Sequence, residues 1–467
     1  MMGGTTALDD MMPGRARYGW LLCGAACAAA TVAAGTLLSA QDRPSRQFRA
    51  GVTMVPVDVR VLDRHGAPVT DLTKDNFFVF EDGVPQIVQG FVKSALVPEP
   101  AAAMAPLSAA SLTLVPQELR PQNRRVFLIV LGRGRQTGPV KIVEALRTLV
   151  RDRLLPQDQV AVMGYNRATD FTTDHEAIAE VLERFGRLHT AIEASIAQNQ
   201  NLVMGVLGPA EMPPFIQDKI DEVFGEGLYG GRPLPEPAAD IRRDQARAVQ
   251  SLRQAAERQL DAVRPVVGEG GQMPALSEAM DSGLLGADFE DYVGQAVAAL
   301  TDLGNVHKGL DYLRRVEGEK HLLMVTVAGN LGLHDTRDED RLAALAADAR
   351  VALDLVHTAG VVAAPVAGSR GPIAAVPTAS QVFAQTFAVK GMRAIAELSG
   401  GQAWAFQSGE HAMSRLDLGT RFRYLLGYVP ANDRWDGEYR AIRIEVDRPD
   451  VSVLYRRGYY ASGPAKE

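Results

Sequence analysis

Four uninterrupted apolar runs constrain this chain most: "RVFLIVL" (125–131), "QVAVMGY" (159–165), "KHLLMVTVAG" (320–329) and "GVVAAPVA" (360–367). A strand with one wet face alternates apolar and polar residues, whereas a strand covered on both faces does not. Helical spacing separates the runs. Pro139 suits a first helical turn, and Val143, Leu146 and Val150 then recur through Arg153. Asp174 opens a second helix ending near Gly186, after a short edge strand in "ATDFTT" (168–173). Thr336 with Glu339 forms a capping box for a helix through Thr358. "AVKGMRAIAELSGG" (388–401) is a helix stopped by glycines, and "QAWAF" (402–406) is a short strand. Alternation of this kind predicts an α/β fold, with helices on both faces of a mostly parallel sheet.

Both flanks are β in character. Val55, Val57, Val59 and Val61 alternate with Pro56, Asp58 and Arg60, and Asp82-Gly83 between apolar runs is a hairpin cue. Near the other end, "YLLGYVP" (424–430), "YRAIRIEVD" (439–447) and "VSVLYRRGYY" (451–460) are strands, with a turn at Asp436-Gly437. The simplest way to complete both flanks is one β-sandwich built from the two ends. The expected organisation is a signal peptide (1–40), an N-terminal β segment (46–95), a Pro/Ala-rich linker (96–122) and an α/β domain (123–412). A helical insertion at about 190–299 interrupts that domain, and a C-terminal β segment (413–467) pairs with the N-terminal one. Within the insertion a helix near 240–263 aligns Ile241, Val249, Leu252, Ala256, Leu260 and Val263, with arginines opposite. That face is expected to dock on the α/β domain; a partner-binding helix is the alternative.

The net charge of −7 and pI near 5.7 argue against a general nucleic-acid binder, which would carry a basic stripe. Arg15 and Arg17 precede an uncharged stretch from Tyr18 to Gln41, the pattern of a secretory signal cleaved after Ala40. An uncleaved anchor is the alternative. The expected location is therefore periplasmic or extracellular. Both cysteines, Cys23 and Cys27, lie in this stretch, so the mature chain would have no disulfide, thiolate metal site or cysteine nucleophile. No second stretch is long and apolar enough to span a bilayer.

Catalytic patterns are weak. The eight histidines (His65, His175, His189, His307, His321, His334, His357 and His411) show no metal spacing and read as mostly surface or capping residues. "VAGSRG" around Ser369 has Ala367 where a nucleophile elbow needs its first glycine. "GRGRQTG" (132–138) lacks the Gly-Lys-Ser/Thr of a phosphate loop. The acids of "DTRDED" (335–340) suit a helix start.

The order of "VPVDVRVLDRHGAPVTDLTKDNFFVFEDGVPQIVQGF", "RRVFLIVL", "LVRDRLLPQDQVAVMGYN", "FTTDHEAI", "IAELSGGQAWAF", "RFRYLLGYVP" and "VLYRRGYYA" resembles von Willebrand factor type A-related proteins, in a subgroup frequent in Acidobacteria. The resemblance covers most of the mature chain. It implies a Rossmann-like sheet and, in metal-binding members, a metal-ion-dependent adhesion site. Such a site has Asp-x-Ser-x-Ser after the first strand, a Thr from a second loop and an Asp at a later strand end. Those oxygens suit Mg²⁺, which takes six in an octahedron. This chain departs from the pattern. With Leu131 at the Asp position the Ser positions are Arg133 and Arg135; with Gly132 there they are Gly134 and Gln136. Ala328 and Gly329 stand where the later Asp would be, and the Thr position falls near Asn305. No metal ligand carries over, and no cofactor is expected.

The expected site is the turn of Arg133, Arg135, Gln136 and Thr137 with Asn330 in the 328–330 loop, at the carboxyl ends of the strands. Its arginines could pair directly with acidic groups of a protein partner; solvated loop arginines are the plainer reading. The expected function is an exported, non-enzymatic interaction or adhesion-type protein. Its rivals are a periplasmic enzyme with a pocket under the helical insertion and a structural envelope component.

Overall fold

The computed structural model describes residues 54–98, 122–132, 139–165, 167–198, 213–225, 232–233, 289–326, 336–358 and 379–461, with scattered positions between 239 and 250. The expected signal peptide, most of the linker and the expected strand at 360–367 lie outside the described residues. So does the apolar face proposed for the insertion helix, from Ile241 to Val263.

The chain begins with β1 (Val55–Asp63), β2 (Phe77–Glu81), β3 (Val84–Gln86) and β4 (Val88–Ala95). Period-two alternation makes β1 a strand and buries Val55, Val57, Val59 and Val61. Asp82 and Gly83 both take positive φ (49° and 81°), the backbone of a tight hairpin between β2 and β3. The α/β part follows as β5 (Arg125–Leu131), α1 (Pro139–Thr148), β6 (Gln159–Gly164), β7 (Arg167–Ala168), α2 (His175–Gln198), α3 (Pro214–Phe224) and β8 (Arg232–Pro233). It continues with α4 (Phe289–Arg314), β9 (Glu319–Thr326), α5 (Thr336–Asp348), β10 (Val351–His357), α6 (Ala379–Ser399), β11 (Ala403–Trp404) and α7 (Gly409–Gly419). The last strands are β12 (Phe422–Tyr428), β13 (Tyr439–Val446), β14 (Val451–Leu454) and β15 (Gly458–Tyr460).

The two flanks share two four-stranded sheets, β14-β1-β12-β4 and β15-β13-β2-β3. Val57 lies opposite Leu426, Val61 opposite Val453 and Val79 opposite Ile444. Inward residues of both sheets form one apolar cluster that includes Val59, Phe77, Val79, Tyr424, Leu426 and Ile442. Glu81 is only 2% exposed, yet its carboxylate accepts hydrogen bonds from Tyr428 (2.6 Å) and Tyr459 (2.9 Å). Burial and that neighbouring carboxylate push both phenols' pKa values up, so they stay donors.

The third sheet is seven-stranded, in the order β11-β10-β9-β5-β6-β7-β8. Strands β11 to β6 are parallel; β7 pairs antiparallel with both β6 and β8. One face is covered by α1, α2, α3 and α7 through Leu146, Ile178, Phe185, Ile216 and Leu416. The other is covered by α4, α5 and α6 through Val306, Leu310, Leu342, Met392 and Ile395. Burial on both sides explains why β5 is apolar at consecutive positions.

The helix expected from Thr336 to Thr358 ends at Asp348; Arg350 takes a positive φ of 53° and β10 begins at Val351. "VALDLVH" fits either period, and β-branched residues with pairing to β9 decide for strand. The second helix does not stop near Gly186. It runs to Gln198, and Gly186 instead admits Val143, whose Cγ1 would lie 3.1 Å from an added Cβ. The edge strand expected over 168–173 reduces to β7 and an isolated bridge between Val160 and Thr172. The boundary expected at 412/413 falls inside α7, and the start expected for the insertion, near 190, falls inside α2.

Buried charges fasten the sandwich to the amino edge of the parallel sheet. Arg125, fully buried at the start of β5, donates to Asp158 from Nε (3.0 Å), to Asp417 Oδ1 (2.9 Å) and to Thr420 Oγ1 (2.8 Å). Burial disfavours its charge, but the two carboxylates outweigh burial and raise its pKa. A second network joins β1 and β12 to β9 and β10. Arg423 pairs with Glu319, His321 Nδ1 meets Asp354 at 2.7 Å, and Arg60 donates to the Gly400 carbonyl at 2.5 Å.

This second network sets a pH window. Burial raises the Glu319 pKa, but Arg423 and then His321 more than offset it and hold the carboxyl at about 2, against an ordinary value of 4.5. Its stabilisation is present above pH 4.5 and is lost as pH falls toward 2. Burial lowers the His321 pKa, but hydrogen bonds to Asp354 and Glu319 raise it above 6.5 overall. That stabilisation is complete below pH 6.5 and fades as pH rises through the raised value. The pair therefore contributes most between pH 4.5 and 6.5. Melting curves from pH 2 to 9 should show the acid limb flattened in Glu319→Gln and the alkaline limb flattened in His321→Gln. Unchanged limbs in both variants would contradict this.

Candidate functional site at the switch point

After β5 the chain steps outward to β6, then crosses back to β9 and proceeds to β10 and β11 on the other side. The reversal lies between β5 and β9. In open α/β sheets the connections diverge at such a point and leave a crevice at the carboxyl ends. Here those ends are Leu131-Gly132 and Val325-Thr326.

The floor of this crevice is polar and closely packed. Asp302 and Asn305 lie three residues apart on α4, so both face the sheet. Gly309, one further turn along that face, lets the helix sit close: an added Cβ would lie 2.8 Å from Leu322 and 3.0 Å from Leu128. Asp302 is fully buried, and its Oδ2 accepts the Thr326 hydroxyl at 2.6 Å. Gly132 makes room for this carboxylate, since a Cβ there would lie 2.7 Å from the Val325 carbonyl and 2.8 Å from Asp302 Oδ2. The Gly132 N–H extends the ladder to Val325 (2.8 Å), and the Thr358 N–H donates to the Thr326 carbonyl (2.9 Å). The ends of β5, β9 and β10 are thus held in register. Asn305 is 1% exposed, and its amide has no hydrogen-bond partner among the described residues.

A second polar cluster lies at the end of β6. Tyr165 takes a left-handed φ of 51°, and its hydroxyl contacts His189 Nδ1. The His189 ring stacks on Phe185 at 4.5 Å, and Glu193 follows one turn later on α2. Tyr165, His189 and Glu193 are all buried. A polar cluster of this kind satisfies itself inside the fold. It also brings a phenol, an imidazole and a carboxylate into one region beside β5, since a Cβ on Gly164 would lie 3.7 Å from Leu131.

The expected site residues Arg133, Arg135, Gln136, Thr137 and Asn330 all lie outside the described residues. In sequence, Arg133 directly follows Gly132, and Asn330 comes four residues after Thr326. The reading of the histidines as mostly surface or capping residues is wrong for His189, His307, His321 and His357, which are buried. Asp302 and Thr326 are not among the site residues expected from sequence. Asp302 left a signal, a carboxylate between apolar positions at helical spacing in "LTDLGNVHKGL" (300–310). Asp302 and Asn305 carry oxygens of the kind a hard cation takes. Among the described residues no group of three or more His, Cys, Asp or Glu could hold a metal ion.

Compared with known proteins, the chain gives no significant match to any family model, curated protein or solved structure. No described helix is long and apolar enough to cross a membrane.

If Gly132 exists to seat Asp302, Gly132→Ala must displace that carboxylate or the β9 end. It should cost about 2 kcal/mol or more, as overpacking at a buried polar site does. Thr326→Val, which removes the donor but keeps the shape, should cost about 1–3 kcal/mol. Chemical denaturation of both variants measures this, and an unchanged midpoint for Gly132→Ala would contradict the geometry.

Proposed function

We propose that this chain is an exported, non-enzymatic interaction protein related to von Willebrand factor type A domains. It offers the carboxyl edge of its parallel sheet to a protein partner. The observation that carries the reading is the closely packed, hydrogen-bonded floor at the switch point. Asp302 is engaged by Thr326 and roofed by Gly132, so it braces the strand ends. Recognition then falls to the rim that continues from those ends in sequence, namely Arg133, Arg135, Gln136, Thr137 and Asn330. Guanidiniums there pair with partner carboxylates directly, where metal-binding members of the family would use an ion. Specificity comes from a rigid floor carrying a variable rim.

A periplasmic enzyme is the second reading, and the buried Tyr165–His189 contact is the observation in its favour. It requires substrate to reach that hydroxyl.

The test is capture of envelope proteins on the immobilised chain in EDTA, followed by affinity measurement with the purified partner. Arg133→Glu/Arg135→Glu should weaken that affinity at least tenfold without lowering the melting temperature, and Mg²⁺ should not strengthen binding. Equal affinity for the double variant, or binding that needs Mg²⁺, would sink the proposal.

A further inference from the structure

A pocket of about 350 Å³ opens away from the switch point, lined by Asp240, Arg243, Arg247, Arg341, Leu345, Asp348, Gly437 and Tyr460. It lies where helical residues of the insertion meet α5 and the turn and last strand of the sandwich. Its size is at the small end for ligand sites.

We propose that this pocket binds carboxylates of an acidic peptide segment. Arg243 and Arg247 are four residues apart in helical conformation, so they present their guanidiniums on one face, and Arg341 brings a third from α5. Arg314 already bridges the two lining acids, at 3.3 Å from Asp240 and 3.2 Å from Asp348. Neither Arg243 nor Arg247 has an ion-pair partner among the described residues.

The other walls select the kind of anion. Leu345 and the Tyr460 ring offer apolar surface for the methylenes of a glutamate, which a bare phosphate would leave unused. An added Cβ on Gly437 meets nothing within 4 Å, so a peptide backbone has room to pass. Guanidinium forks engage carboxylates bidentately. A long polyanion such as nucleic acid is disfavoured, because Asp240 and Asp348 interrupt the basic surface and the chain's net charge is −7. None of the lining residues belongs to the rim proposed above, so this assignment stands or falls independently.

The experiment is fluorescence anisotropy of a labelled hexaglutamate peptide with the full chain, competed by glutarate and by inorganic phosphate. Binding should weaken with added salt. It should fall at least tenfold in Arg243→Glu/Arg247→Glu, with an unchanged melting temperature because both side chains are exposed. Arg341→Gln, which alters the opposite wall alone, should weaken binding severalfold and guards against misfolding of the first variant. Glutarate should compete better than phosphate. No binding by the wild type, equal binding by both variants, or stronger competition by phosphate would each overturn the proposal.

Discussion

A single guanidinium at the base of the sheet ties together parts of the chain nearly 300 residues apart. Arg125 is fully buried, and it reaches Asp158 before β6 and both Asp417 and Thr420 at the end of α7. A buried charge is costly unless its hydrogen-bonding capacity is met, and removing one member of such a group typically costs about 3–5 kcal/mol. Here the contacts fix three things at once: the start of the central strand, the turn into its neighbour, and the point where α7 hands the chain to β12. Because β12 is the strand on which β1 and β4 pair, the placement of the whole sandwich follows from it.

The two edges of the parallel sheet consequently differ in build. The amino edge is occupied by the sandwich and by networks centred on Arg125 and on Glu319 with His321. The carboxyl edge has a polar floor in Asp302 and Thr326 and leads, in sequence, into the segments that carry the residues proposed for recognition. Strand ends held rigidly by one network can support variable loops at the other, the general division of labour in α/β proteins. The acidic-peptide pocket adds a third surface where the insertion, α5 and the sandwich meet.

Much of the architecture was legible because burial leaves strong patterns. Consecutive apolar residues in β5, alternation in β1 and the Asp82-Gly83 turn each have one physical meaning. "VALDLVH" misled because a short apolar run fits both periods, and only pairing with β9 resolves it. Gly186 misled because a glycine can end a helix or let another chain segment approach, and the sequence does not distinguish the two. The buried histidines and Asp302 were hidden for a related reason. Whether a polar side chain is solvated or satisfied inside depends on distant partners such as Asp354 for His321 and Thr326 for Asp302. Such partners cannot be read from local spacing.

The buried charges make the sandwich and the α/β core one cooperative unit. Trp404 reports on the core, and Trp435 packs beside Tyr459 in the sandwich. In a Trp20→Phe background, Trp404→Phe and Trp435→Phe each leave a single reporter. Urea unfolding followed by fluorescence should give coincident midpoints and slopes for the two. A sandwich that unfolds at a separate urea concentration from the core would show that the buried charges do not couple the two.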